Sequence, residues 1–482
     1  MGGPAVKNEA DRRRYMAQEL FRLGQHAKRE NWHDTAVNLL QQAISFEPDS
    51  VLYLLETGDL LQQAGNFDKA LEIYDKALIL RQDLAPVHNN RGNALKMLGR
   101  FEEAVESYGK AAALNPESPE ILTNMGVALS GLQRYEDAAV CYEKALKLKP
   151  DHASAHWNHA LLLLTKGEFE NGWVEYEWRW RVRNFAQYKA RHSKPEWKGE
   201  DPKGRTILLW CEQGLGDTVQ FIRYAPLVLA RGARVVVQCQ KELHRLLASS
   251  RDFGEVITSE QAVPAHDLQC SIMSLPYIFG TSLESVPSDI PYIRPDSRLV
   301  SQWKERVGAC AGLRVGLVWA GKLWDNIPAA KSVDSRRSMN LRMLSPLADI
   351  PDVVFVSLQL GAAADQIGSD SPFPIVKYGS DIMDFSDSAA IIANLDLVIS
   401  VDTSVAHVSG AMGKRTWLLS RYDSCWRWLL AREDSPWYPS LRLFRQKKAG
   451  DWAEVIERVA VALRHEAHVK SALTQSNAGN SQ

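Results

Sequence analysis

Residues 85–118 read APVHNNRGNALKMLGRFEEAVESYGKAAALNPES, and residues 119–152 read PEILTNMGVALSGLQRYEDAAVCYEKALKLKPDH. Set in register, Gly92 falls on Gly126, Ala104 on Ala138, Tyr108 on Tyr142, Ala111 on Ala145 and Pro116 on Pro150, each 34 residues further on. The same step carried backwards reaches Gly58 and Gly24, Ala70 and Ala36, Tyr74 and Leu40, and Ala77 and Ala43. Pro48 closes the first unit, and Gln82 stands where the second would have its proline. A repeat of this length marks a stacked array of helical hairpins, each burying its apolar face against its neighbours. The register sets four units at residues 17–50, 51–84, 85–118 and 119–152, behind an N-terminal helix or leader over residues 1–16.

The residue types explain the register. Gly and Ala let the two helices of a unit approach closely, the Leu or Tyr fills the next gap, and proline ends the second helix. Period and pattern together resemble the tetratricopeptide repeat (TPR), which implies an α-solenoid whose concave face holds a peptide or helix of a protein partner. A fifth, degenerate unit starts near Ala153, with Ala160 at the glycine position and Gly172 at an alanine position. Its aromatic run, with Trp173, Tyr176, Trp178 and Trp180, is expected to cap the array or to touch an acceptor. Residues 153–203 make up this cap and a linker.

From about Gly204 the pattern changes. TILLWC (206–211), ARVVVQC (233–239) and two short runs around Val256–Ile257 and Leu268–Met273 read as strands, with helices in TVQFIRYAPLVLARG (218–232) and KELHRLLASS (241–250). A second series begins at LRVGLVWAG (313–321) and continues through DVVFVSLQ (352–359), LDLVISV (395–401) and RTWLLS (415–420). Strands alternating with helices imply parallel sheets covered by helices on both faces. The expected organisation is therefore α followed by α/β: one lobe at residues 204–295, a linker at 296–312, a second lobe at 313–465 and a disordered tail at 466–482. Ligands of such sheets bind in the crevice at the carboxyl ends of the strands.

Composition narrows the function. The chain has 482 residues, with 57 basic against 58 acidic ones and a formal net charge of −1, so no global charge draws it to nucleic acid. The six cysteines form no CxxC pair, which argues against a zinc site and fits a reducing compartment, the cytoplasm. The polar amino terminus lacks the apolar core of a signal peptide, and no apolar run reaches about 18 residues, so no membrane span is expected.

Two loops directly follow strands. In Glu212-Gln213-Gly214-Leu215-Gly216-Asp217, the glycines permit close approach of a ligand, and Asp217 at a helix start reads either as a cap or as a functional carboxylate. In the second, Asp402-Thr403-Ser404 opens a helix whose free N–H groups and positive end suit a diphosphate, with His407 one turn further on the same face. Trp319, Trp426 and Trp428 read as core. The Pro-bounded pair Trp437-Tyr438 forms a rigid turn.

Residues 204 to about 460 resemble a GT-B glycosyltransferase lobe pair related to the ADP-heptose heptosyltransferases. The resemblance rests on Gly214-Leu215-Gly216-Asp217 followed by Ala225-Pro226, and on Asp402-Thr403-Ser404 with His407 and Gly410-Ala411-Met412-Gly413. Nearly the whole chain is similar to bacterial proteins that set such a domain behind TPRs, a layout shared by a flagellin-modifying transferase and, analogously, by O-GlcNAc transferase. Runs carrying that likeness include Val318-Trp319-Ala320-Gly321, Arg336-Arg337-Ser338, Ser357-Leu358-Gln359 and residues 434–439. The segment LWDNIPAAKSVDSRR (323–337) departs from the heptosyltransferase donor-lobe pattern and leaves the sugar open.

The resemblance implies transfer of a sugar from a nucleotide-sugar donor to a protein acceptor recruited by the repeats. Asp217 would be the general base. Asp402, Thr403, Ser404, His407, Gly321, Lys322, Arg337 and Gln359 would hold the donor, and Gln213, Gly214 and Gly216 would form the acceptor-side loop. Lys322 and Arg337 read equally as solvated charges, and Gln359 equally as a partner for backbone groups. No metal is expected, for no DxD-like motif follows a strand, and neither is a cofactor. The alternative from another class is a catalytically inactive scaffold.

Overall fold

The computed structural model describes residues 8–308, 312–322, 328–368 and 371–479. The chain forms two compact units, one ending at Asn158 and joined by residues 328–333, the other made of the remainder.

The first unit is an array of paired helices. Its helices are α1 (Glu9–Arg29), α2 (His33–Phe46), α3 (Val51–Gln63), α4 (Phe67–Leu80), α5 (Ala85–Met97), α6 (Phe101–Leu114), α7 (Pro119–Gly131) and α8 (Tyr135–Leu148). Each 34-residue unit supplies one pair. Residues 9–16 are helical, as the first turns of α1, which starts at Glu9, where the Asn8 side chain accepts from Asp11 N (2.8 Å) and caps the helix.

The glycine–tyrosine pairing of the register is a steric fit. A Cβ on Gly58 would stand 2.5 Å from the Tyr74 ring, on Gly92 2.7 Å from Tyr108, and on Gly126 2.5 Å from Tyr142. In the first unit, Leu40 takes the ring's place against Gly24. All three tyrosine rings are buried. The first helices of successive repeats are also joined by a polar chain. Asn124 donates to Asn89 (3.1 Å), Asn89 to Asn90 (3.1 Å) and Asn90 to Asp59 (2.8 Å), where the Tyr74 hydroxyl also ends (2.8 Å).

The chain continues through α9 (Ala153–Lys166), α10 (Phe169–Tyr176) and α11 (Arg183–Lys189). In the second unit the Trp173 and Tyr176 rings are buried, with Trp173 edge-on to Phe221 (6.1 Å), Trp426 (5.4 Å) and Trp437 (6.4 Å). Trp173 and Tyr176 of the aromatic run therefore belong to a core shared with both α/β lobes.

The first lobe holds β1 (Thr206–Trp210), β2 (Arg234–Cys239), β3 (Glu255–Thr258) and β4 (Leu268–Ser271), all parallel in the order β3-β2-β1-β4. Its helices are α12 (Leu215–Phe221), α13 (Ala225–Ala230), α14 (Lys241–Ala248) and α15 (Leu275–Ile278). Residues 218–232, expected as one helix, are interrupted by a 3₁₀ turn at Ile222–Tyr224, and Pro226 restarts the helix in its first turn. Within the expected linker, residues 297–307 form a helix: α16 (Ser297–Val307) is capped by Asp296 and buries Trp303 against the second lobe, where the indole donates to Asp387 (3.2 Å).

The second lobe holds β5 (Leu313–Val318), β6 (Val353–Ser357), β7 (Ile375–Val376), β8 (Leu397–Val401), β9 (Thr416–Ser420) and β10 (Leu441–Arg445), parallel in the order β10-β9-β8-β5-β6-β7. Its helices are, from residue 334 onward, the end of α17 (Pro328–Arg337), then α18 (Phe385–Ala393), α19 (Ser404–Ala411) and α20 (Trp452–Gly479). The tail expected to be disordered from residue 466 instead continues α20 to Gly479; residues 480–482 lie outside the described set. Ala467 is buried, and Lys470 reaches Asp396 (2.5 Å) and the Gly312 carbonyl (3.3 Å), which gives the polar last turns an anchor.

Candidate functional site

In the second sheet the strands progress outward in both directions from β5 and β8, so the crevice of this lobe lies at the carboxyl ends of those two strands. Trp319-Ala320-Gly321-Lys322 leaves one strand, and Asp402-Thr403-Ser404 leaves the other. Side chains lock both loops. Gln359, just beyond β6, accepts from Trp319 N (3.1 Å) and Ala320 N (2.9 Å) and donates to the Leu360 carbonyl (3.1 Å), so its amide serves backbone groups. Gly321 N donates to Ser338 Oγ (3.0 Å). A Cβ on Gly321 would meet the Arg337 guanidinium at 2.8 Å. Arg337 spans the crevice, donating to the Asp402 carbonyl (2.9 Å) and pairing with buried Asp334. Its Nε and Asp334 Oδ2 are buried without hydrogen-bond partners. Burial raises the Asp334 carboxyl pKa against the pull of Arg337. Lys322 is exposed.

Helix α19 begins at the crevice. Thr403 is its cap residue, extended at φ −137° and ψ 169°, with its hydroxyl 3.1 Å from Ser400 Oγ. The first backbone bond runs from Ala406 N to the Thr403 carbonyl (3.1 Å), so the N–H groups of Ser404 and Val405 precede the helical ladder. Asp402, Thr403 and Ser404 are half-buried. His407 is buried, with Nδ1 2.9 Å from the Tyr438 hydroxyl and its ring 5.2 Å from that of Trp428. Burial, reinforced by nearby arginines, pushes its pKa down to about 3, and the imidazole is neutral.

The first lobe presents its loop at the carboxyl end of β1. Gly214 N donates to Asp217 Oδ2 (2.9 Å), so Asp217 closes the start of α12 from inside its first turn. Gln213 donates to the Tyr176 hydroxyl (2.8 Å), and its carbonyl accepts from Gln240 (2.9 Å). Beneath lies a buried ionic cluster. Arg179, wholly inaccessible, meets Glu212 Oε1 (2.9 Å), Glu177 Oε1 (2.5 Å) and Ser274 Oγ (2.8 Å). Burial opposes its charge, but the two glutamates hold its pKa above the ordinary value. This cluster fixes Glu212 at the end of β1 and Ser274 just beyond β4, the switch point of the smaller sheet. A cavity of about 410 Å³ opens at the ends of β1, β2 and β3, lined by His192, Trp210, Gln213, Gln238, Gln240 and Ser259 among others.

The two loops meet. A Cβ on Gly216 would lie 2.8 Å from His407 Cδ2. The Asp217 carboxylate pairs with Arg427 of the second lobe, and Arg223 of the first donates to the Trp437 carbonyl (2.7 Å). Sequence reasoning missed Arg427 and Arg421, and read Tyr438 only as part of a rigid turn. Arg421 directly follows β9, a placement that could have flagged it, and shares Asp423 with Arg336 (3.0 and 3.1 Å). Arg427 sits inside the apolar run CWRWLL, whose tryptophans hide it. The turn at Trp437-Tyr438 orients His407 and anchors Arg223. Among the described residues, no group of three or more His, Cys, Asp or Glu is arranged to hold a metal ion, and no helix is long and apolar enough to cross a membrane.

Comparison with known proteins places the repeats. The tetratricopeptide repeat model matches residues 85–118 and 119–152, and a TPR repeat model matches residues 58–99. Protein FlbA of Caulobacter vibrioides is 28% identical, over 63% of this chain and 54% of that protein, so the chain spans about half the length of this relative. Among solved structures, MamA from Desulfovibrio magneticus RS-1 is 18% identical over 37% of this chain and 98% of its own, with a TM-score of 0.32. A tetratricopeptide repeat protein from Parabacteroides merdae is 23% identical over 37% and 71%, with a TM-score of 0.33. The amino-terminal part of the chain is a TPR array, a protein-interaction module, followed by an α/β region of two parallel sheets.

Proposed function

We propose that the α/β unit is a GT-B glycosyltransferase that moves a sugar from a nucleotide-sugar donor to a hydroxyl of a protein recruited by the repeats, in the cytoplasm. The observation that carries this reading is the meeting of the two strand-end loops, Gly216 against His407. It puts a carboxylate on one lobe opposite an anion-suited helix start on the other. The donor's phosphates sit at α19, on the N–H groups of Ser404 and Val405 with the hydroxyls of Thr403 and Ser404. Arg337 and exposed Lys322 offset the leaving charge. Gly321 leaves room for the Arg337 guanidinium, and Gln359 and Asp402 shape the loops around it. Neutral His407, held by Tyr438, presents Nε2 towards the Gly214–Asp217 loop. The acceptor approaches over Gln213, Gly214 and Gly216, and Asp217 accepts its hydroxyl proton. The acceptor is O-linked; flagellin or another surface protein fits the layout.

A second reading, an inactive scaffold, is favoured by one observation: the Asp217 carboxylate is already engaged by Gly214 N and Arg427. Calorimetric titration with a panel of nucleoside mono- and diphosphates separates the two. A transferase binds at least one, and binding weakens at least tenfold in Ser404→Ala/Arg337→Ala. A protein that binds none of them is a scaffold.

A further inference from the structure

Arg427 is buried to 11% side-chain exposure, and Asp217 to 17%. Its Nη1 donates to Cys425 Sγ (3.0 Å), its guanidinium lies over the Trp426 ring (4.4 Å), and Nε is buried with no hydrogen-bond partner. The next residue, Trp428, sets its ring at a tilt against that of His407 on α19 (5.2 Å). One guanidinium is therefore bound to the carboxylate of the first lobe, next to Gly216, which packs against His407 on α19 of the second, and keeps one N–H unused. A half-buried cation between a carboxylate and an anion site can satisfy only one of them fully, and a phosphate carries more charge than a carboxylate.

We propose that Arg427 is a positioning residue that exchanges partners: in the free protein it occupies Asp217, and on binding a phosphorylated donor it turns to the phosphate and releases the carboxylate. This rests on the transferase reading and adds the order of events. In the transfer, the bond between the sugar's anomeric carbon and the phosphate oxygen breaks, and its electron pair leaves on the phosphate that Arg427 now faces. The acceptor oxygen bonds to the anomeric carbon, and its proton passes to Asp217. The base is free only when a donor is present, which guards against proton abstraction without a sugar to transfer.

The test is carbodiimide labelling of carboxylates with glycine ethyl ester, read by peptide mass spectrometry, on the full chain with and without inorganic pyrophosphate. Asp434, 68% exposed at its side chain, is the internal control. Asp217 labelling is expected to be slow in the free protein and to rise at least threefold with pyrophosphate, while Asp434 stays constant. In Arg427→Gln it is expected to be fast throughout. The wild-type comparison stands even where that variant folds poorly. Calorimetric binding of pyrophosphate with unchanged or slower Asp217 labelling overturns the exchange and leaves the transferase reading in place. Absence of pyrophosphate binding overturns the exchange and the donor site together.

Discussion

His407 shows how one side chain ties the lobes together. It touches Gly216 on one side and Tyr438 on the other, so it has no room to swing away from an added methyl group. Gly216→Ala is expected to cost about 1–3 kcal/mol of stability through overpacking, read as a lower midpoint of urea unfolding. The same imidazole makes stability depend on pH. An unfolded histidine takes up a proton near pH 6.5, whereas burial depresses this one to about 3. Below about pH 6.5 the unfolded chain binds the extra proton, so stability is complete above that pH and falls towards pH 3, by up to about 1.4 kcal/mol per unit. The neighbours Tyr438, Asp402, Arg427, Arg223 and Arg337 are retained in His407→Gln, which is expected to show a flatter profile between pH 7 and 5. A wild-type profile parallel to the variant's contradicts the neutral, buried assignment. Much at this scale was legible in the sequence, because strand-end loops announce themselves. Of the two readings of Asp217, N-cap and functional carboxylate, the first is modified: Gly214 is the N-cap residue, and Asp217 closes the helix start from its third position. Arg427 was not legible, because an arginine between tryptophans has no periodicity to mark it and its partner lies 210 positions away.

The repeat helices turn on the fit between a glycine and the large residue 16 positions later. Gly92→Ala gains helix propensity but drives a methyl group into the buried Tyr108 ring, and a net loss of about 1–3 kcal/mol is expected. Gly109, in the middle of α6, has no atom within 4 Å of a built Cβ, so Gly109→Ala is expected to stabilise by roughly 0.5–1 kcal/mol. Paired denaturant curves decide the matter, and a like sign for both substitutions contradicts the steric account. The period of 34 exposed these helices in the sequence because each unit repeats the same contact. The α/β elements were less legible. β7 is two residues long and makes no pattern, and the tail of α20 looks disordered by composition because its anchor, Lys470 to Asp396, is a tertiary contact. The break between α12 and α13 follows from Pro226, which the sequence displays but which an apolar run obscures.

The molecule as a whole joins a TPR array to an α/β region of two parallel sheets, for which sugar transfer is the proposed activity. The topology of the two sheets gives each lobe one crevice, and the chain spends its polar residues there: Asp217, Arg427, Arg337 and Asp334 on the loops, Thr403, Ser404 and His407 on α19. The most direct measurement is intact-protein mass spectrometry of the full chain incubated with a panel of nucleotide sugars and bacterial lysate, beside Asp217→Ala. The account predicts a donor-dependent, sugar-sized mass gain on a lysate protein, lost in the variant while nucleotide binding persists. No gain with any donor, together with no nucleotide binding by calorimetry, contradicts it.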